Sequence, residues 1–320
     1  MANPEMKNQT KAFVQKTATL FAAISALAAG LSTTVANAHT ENANTTSTKE
    51  LCSGFLPAND MNIPVGFRAM NGGGITEAEF NAVIDRAERL YAPQVAKAGG
   101  TLKFNRKWSD GTVNASAQQM GKSWIVNMYG GLARHQATTV EGFALVVCHE
   151  LGHHLGGAPK GKSFFGSGWA TNEGGSDYWA NLKCLRVYFA EDDNAAIVAK
   201  AKADGKLSPV AEQLCNQEFS KLEDQLLCMR GTLGGTSVAG LFQDLRKEPT
   251  APDFAKPDTN RVSRTNDAHP ATQCRMDTYL AGAVCNVDHT LPVSNTDYRQ
   301  GSCVENVAKV GFRPRCWFAP

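Results

Sequence analysis

None of the nine cysteines in this chain is spaced Cys-x-x-Cys from another, which removes the usual knuckle of a cysteine-bound structural zinc. An excess of one charge is missing too. The 32 Lys and Arg residues face 30 Asp and Glu, which gives no electrostatic case for nucleic acid or an anionic membrane as partner. Past the N-terminus no apolar run is long enough to span a bilayer. There is no internal repeat, and no low-complexity tract outside the N-terminal region. Charged residues make up only 19% of the chain, so it is not a disordered polyelectrolyte. What is present suits a globular protein: 320 residues, 42% of them hydrophobic, can bury one sizeable core with room for a smaller appendage.

The first 38 residues read as a secretory signal. Lys7, Lys11 and Lys16 supply a basic start, Ala18–Leu31 is mostly apolar, and Ala36-Asn37-Ala38 fits a small-x-small cleavage site. An uncleaved anchor helix is the alternative, but the apolar run is short for a span. Removal of residues 1–38 takes away three Lys and one Glu and leaves the remainder formally neutral. The expected destination is a periplasm or the cell exterior. That compartment is oxidising, so cysteine pairing is expected. Nine is odd, and Cys148, inside an apolar helix, is the natural one to leave over. The other eight allow up to four bridges, of which Cys303–Cys316 is a short-range guess.

Periodicity gives a coarse layout. Residues 39–50 are polar and loose, and residues 51–75 read as loop, with Pro57, Pro64 and Gly72-Gly73-Gly74. A helix starts at Thr76, which forms a capping box with Glu79 ahead of Phe80, Val83, Ile84, Ala87 and Leu90 at helical spacing. Strand-like runs follow at Thr101–Trp108, Gly111–Ala117 and Ser123–Tyr129, which predict a small antiparallel sheet. Thr138–Leu155 is an apolar helix closed by Gly156-Gly157. Residues 158–168 read as a mobile surface loop. Helical patterns then cover Asn172–Phe189, Ala195–Ala203, Val210–Met229, Val238–Arg246 and 270–283, with a polar, Pro-bearing connection over 247–268. The fold class expected is α+β with a largely helical C-terminal half.

The chemistry concentrates in His149-Glu150-Leu151-Gly152-His153. At about 100° per residue, two histidines four apart share one helix face and can hold one zinc ion. Glu150 lies beside them, where a carboxylate can take a proton from zinc-bound water whose pKa is lowered to about 7. Downstream, Glu173 and Asp177 are again four apart. Glu173 is the expected third ligand, and Asp177 the carboxylate that hydrogen-bonds a ligating imidazole. His154 adjoins His153 but faces about 100° away, so it reads as a packed or solvated neighbour. Tyr178 reads as core.

Asn172 through Asp177 resembles the thermolysin-type Asn-Glu-x-x-Ser-Asp element, and the 24-residue step from His149 to Glu173 fits that type. The chain therefore resembles the gluzincin metallopeptidases, which hold zinc with two His and one Glu. His269-Pro270, followed by Arg275, and the run Asn114–Ala117 with Gly121, Ile125 and Val126 resemble the M48 peptidases. The resemblance implies a zincin-like fold, a small antiparallel sheet on the active-site helix, and one Zn²⁺. It implies that His269 and Arg275 sit near the metal and stabilise an oxyanion or hold substrate, with His289 beside Asp288 as a rival. It also implies backbone pairing of substrate along residues 112–117 and 123–129, and a cover from the 158–168 loop. Gly174-Gly175 after the glutamate and the many cysteines depart from that family and point to a distinct exported branch. The layout is then a signal peptide (1–38), an N-terminal segment (39–75), a metallopeptidase domain (76–285) and a cysteine-bearing tail (286–320). The activity expected is an exported endopeptidase acting on a polypeptide, with Glu150 as general base. Two rivals stand beside it: a non-catalytic zinc-binding periplasmic chaperone or assembly factor on a peptidase fold, and a disulfide-rich extracellular binding module.

Overall fold

A computed structural model describes residues 54–67, 73–163 and 166–320. The expected signal segment, the stretch 39–50 and Cys52 lie outside these residues. The first helix, α1 (Glu77–Lys97), starts where the capping box places it: Glu79 N donates to Thr76 Oγ1, and Thr76 N donates to Glu79 Oε2. Phe80, Val83, Ile84 and Ala87 face the core, joined by Tyr91 and Val95.

Three strands follow: β1 (Thr101–Lys107), β2 (Ala115–Met120) and β3 (Ser123–Tyr129). The sheet is mixed rather than antiparallel, in the order β1-β3-β2, with β1 parallel to β3. The reason lies in the two connections. Met120 pairs with Ser123, so Gly121-Lys122 forms a two-residue hairpin loop, and Gly121 takes the positive φ such a turn requires. The chain between β1 and β2 is longer and is pinned by Arg134, whose guanidinium donates to the carbonyls of Ile63, Trp108 and Asp110. It carries the chain past the centre of the sheet and delivers β2 to the edge. Residues 111–114 are not part of that strand; Thr112 makes only an isolated bridge to Asn62.

After a short α2 (Gly130–Arg134), the apolar helix α3 (Val140–Leu155) runs through the core, capped by Thr139 Oγ1 and buried all round from Gly142 to His154. The span 158–168 holds a hairpin rather than a loop: β4 (Lys160–Ser163) pairs antiparallel with β5 (Gly166–Thr171), with residues 164–165 outside the described set. The helix expected over Asn172–Phe189 runs unbroken from Glu173 to Phe189 with a π-turn inside it: α4 (Glu173–Trp179), the π-turn (Ala180–Cys184) and α5 (Leu185–Phe189). Then come α6 (Asn194–Ala203), α7 (Pro209–Glu218), α8 (Leu222–Arg246) and α9 (Thr272–Val284). The pattern read as one helix over 210–229 is thus broken at 219–221, and the one over 238–246 is the far end of α8. Among the described residues no helix is long and apolar enough to cross a membrane.

Four cysteine pairs stand at disulfide geometry: Cys148–Cys184, Cys215–Cys228, Cys274–Cys316 and Cys285–Cys303. They are compatible with an oxidising compartment. They also correct two expectations. Cys148 is bonded to the π-turn, which packs against α3, and Cys303 and Cys316 have different partners, Cys285 at the end of α9 and Cys274 near its start. The π-turn places Cys184 toward α3 in a way that a regular 3.6-residue repeat does not reveal.

Candidate metal centre

Two helices build the site. His149, Glu150 and His153 project from α3, and Glu173 opens α4, whose N-cap is Asn172, with Gly175 N donating to Asn172 Oδ1 at 2.9 Å. The helices meet closely because residue 152 is glycine: a Cβ there would stand 3.1 Å from the Cα of Ser176.

The imidazoles are held from behind. His149 Nδ1 lies 2.7 Å from Asp177 Oδ1, which also accepts from Arg275 Nη2 at 2.6 Å. Burial would raise the Asp177 carboxyl, but Arg275 and His149 outweigh it and hold it below the usual range. The carboxylate is therefore an acceptor, so His149 carries its hydrogen on Nδ1 and presents Nε2 to the site. His153 is set the same way, since Nδ1 lies 2.7 Å from the carbonyl oxygen of Thr171, which can only accept. Ser176 Oγ approaches the same nitrogen at 3.1 Å.

Glu173 completes the set. Its Oε2 lies 3.3 Å from His149 Nε2, and its Oε1 lies 3.7 Å from His153 Nε2. Zinc bonds of about 2.05 Å in a tetrahedron put ligand atoms about 3.3 Å apart, so this spacing fits a first-row metal ion. Three ligand atoms within 4.8 Å of one another, all on buried residues, could hold such an ion. His149 Nε2 and Glu173 Oε2 are buried and face each other at 3.3 Å, long for a well-formed hydrogen bond. The gap between them suits a positive charge, supplied by a bound metal ion or, without one, by the second proton of a His149 imidazolium. The electrostatics agree. Burial alone would lower the His149 pKa, but Asp177 and Glu173 raise it to about 9. Burial would likewise raise Glu173, but the His149 imidazole that faces it holds it well below the carboxylate range. Burial takes His153 down to about 4, so that ring is neutral.

Glu150 is fully buried next to this cluster. Neither of its oxygens has a hydrogen-bond partner among the described residues, and burial pushes its carboxyl up to about 8, against the pull of His149. His269 is also here: its Nε2 lies 3.4 Å from Glu173 Oε2 and donates to the Gly54 carbonyl at 2.8 Å. Arg275 is not at the open side. It is fully buried behind Asp177, with Nη1 on the Phe55 carbonyl at 3.0 Å, Nε on Tyr279 Oη at 3.2 Å, and its plane against Phe55 and Phe242. Each of its nitrogens is committed to a protein partner, so it positions Asp177. His289 stands apart, among Arg186, Asp288, Asp224 and Lys183. His154 is packed between the rings of Trp124 and Trp169.

Searches against protein-family models, curated proteins and solved structures find no match to this chain. The reading of the site therefore rests on its own geometry.

Some contributors carry no sequence signal. The Thr171 carbonyl acts through its backbone, and Phe55, whose ring centroid lies 4.8 Å from that of His149, comes from a segment read as loop. Tyr279 had one: it lies four residues after Arg275, one helical turn on. The region assigned to substrate pairing also changes. β3 has a strand on both sides and cannot accept another, whereas β2 stands at the edge among the described residues, with Phe55 N already donating to the Ala115 carbonyl at 2.8 Å.

Proposed function

We propose that this protein is an exported zinc-dependent endopeptidase of the gluzincin type, related in plan to the M48 peptidases. The observation that carries the reading is the convergence of His149 Nε2, His153 Nε2 and the Glu173 carboxylate, with an unbonded Glu150 carboxylate buried beside them. His149, His153 and Glu173 would hold the ion. Zinc, when bound, supplies a Lewis acid and lowers the pKa of water.

The chain's own groups do the rest. Glu150 takes the proton of the attacking water and passes it to the leaving amine as the peptide bond breaks. Asp177, held by Arg275, keeps His149 in the Nδ1–H tautomer, and the Thr171 carbonyl does the same for His153. His269, partly exposed at the rim, contacts the substrate near the scissile carbonyl. A non-catalytic zinc protein has no use for a buried, unbonded carboxylate at position 150, which favours the enzyme over the chaperone reading.

The test is metal removal. The purified protein should contain one zinc per chain, lose cleavage of an unfolded protein on chelation, and regain it with added zinc. Cleavage that persists after the metal is gone would sink the proposal.

A further inference from the structure

A cleft of about 210 Å³ leads to the metal centre, lined by His153, Thr171, Glu173, Lys162 and Asp267. It shares Lys162 and Asp267 with a larger open groove of about 730 Å³, lined also by Arg261, Arg264 and Asn266. We infer that this groove receives an acidic stretch of the polypeptide, on one side of the bond that is cut, through Lys162, Arg261 and Arg264. The inference rests on the metallopeptidase reading above and adds a substrate class to it.

The groove has a fixed floor. Residues 261–267 run beside the C-terminal tail, with Val262 N donating to the Arg315 carbonyl at 2.9 Å and Asn266 N to the Trp317 carbonyl at 2.8 Å. Thr265 Oγ1 adds a bond to the Ala319 carbonyl at 2.9 Å, and the Cys274–Cys316 disulfide ties the tail to α9. Asp267 links the floor to the metal site. Its Oδ1 accepts from Asn172 Nδ2 at 3.1 Å, and its Oδ2 accepts from Lys162 N at 3.3 Å. Asn172 is the cap of the helix that begins with Glu173, so the groove holds a set position relative to the third ligand.

The charge of the groove is one-sided. Lys162, Arg261 and Arg264 are exposed, and none makes an ion pair among the described residues. Asp267 is the one carboxylate in the lining, and both its oxygens already accept hydrogen bonds. A peptide that lies across the metal and continues along the groove passes three cations with no acidic partner of their own. Each exposed ion pair of this kind changes affinity by about 1.5- to 5-fold. The sum is a preference among substrates, and it weakens as salt rises.

The experiment uses peptides of one core sequence with a Glu-Glu, Ala-Ala or Lys-Lys block on either side of the scissile bond. The kcat/KM of the wild-type zinc protein is measured on each, and binding of the same labelled peptides to the Glu150→Gln protein is read by fluorescence anisotropy. The expected order on one side is Glu above Ala above Lys in both readouts, carried by KM rather than kcat and compressed at high ionic strength. The double variant Arg261→Glu with Arg264→Glu should reverse that order. Equal values for the three blocks on both sides, or an order unchanged in the double variant, overturns the inference while the enzyme reading stands. Failure to cleave any peptide, the neutral one included, removes the metallopeptidase reading and this inference with it.

Discussion

At the residue scale the site depends on what stands behind the ligands. Asp177 shares one oxygen between His149 and Arg275, and all three groups are fully buried. Replacing Asp177 with Asn removes the charge that fixes the imidazole and leaves the Arg275 guanidinium without its carboxylate. Outer hydrogen-bond partners of this kind are worth about 10- to 100-fold in metal affinity. The Asp177→Asn protein should therefore bind zinc about 10- to 100-fold more weakly in a chelator competition. An unchanged affinity would mean that the His149 orientation is set by packing against Phe55 instead. The residues that gather here were legible: spacing of four on a helix put His149 with His153 and Glu173 with Asp177. The role of Arg275 was not. Its place near the site was an expectation drawn from a resemblance, but whether it faces a substrate or backs a carboxylate depends on how α9 packs, and one-dimensional spacing does not encode that.

At the element scale the question is how α3 and α4 come close enough to share an ion. The contact at Gly152 has room for a hydrogen and little more, since a Cβ would lie 3.1 Å from Ser176 Cα and 3.1 Å from its carbonyl oxygen. Overpacking at such a contact costs about 1–3 kcal/mol. Gly152→Val should lower the thermal midpoint and, by moving α4 away, reduce zinc occupancy of the folded protein. Full occupancy at an unchanged midpoint would show that the helices adjust freely. The elements with strong local signals were legible here, above all α1 through its capping box and α3 through its apolar run. Those set by partners were not. The parallel pairing of β1 with β3 depends on the long connection that Arg134 pins. The break between α7 and α8, and the π-turn before α5, interrupt patterns that stay hydrophobic across them.

At the scale of the whole molecule, disulfides join the helical half and the tail into one frame. Cys148–Cys184 ties α3 to the π-turn, and Cys274–Cys316 ties α9 to the C-terminal tail beside the groove. Eight of the nine cysteines are thereby used, which leaves Cys52, outside the described residues. Thiol titration of the unreduced, denatured protein should find one free thiol per chain, and labelling followed by peptide mapping should place it at Cys52. A label on Cys148, the residue that sequence alone left over, would contradict the pairing.

The central claim is that one buried metal, held by His149, His153 and Glu173, serves hydrolysis with Glu150 as the base. Replacing Glu150 with Gln keeps the size of the side chain and touches no proposed ligand. The decisive measurement is zinc content and peptide cleavage of wild type and Glu150→Gln, prepared side by side. The account predicts equal zinc, close to one per chain, and loss of cleavage by at least about 100-fold in the variant. Equal cleavage by the two proteins, or a wild type that carries zinc and cuts nothing, would contradict it.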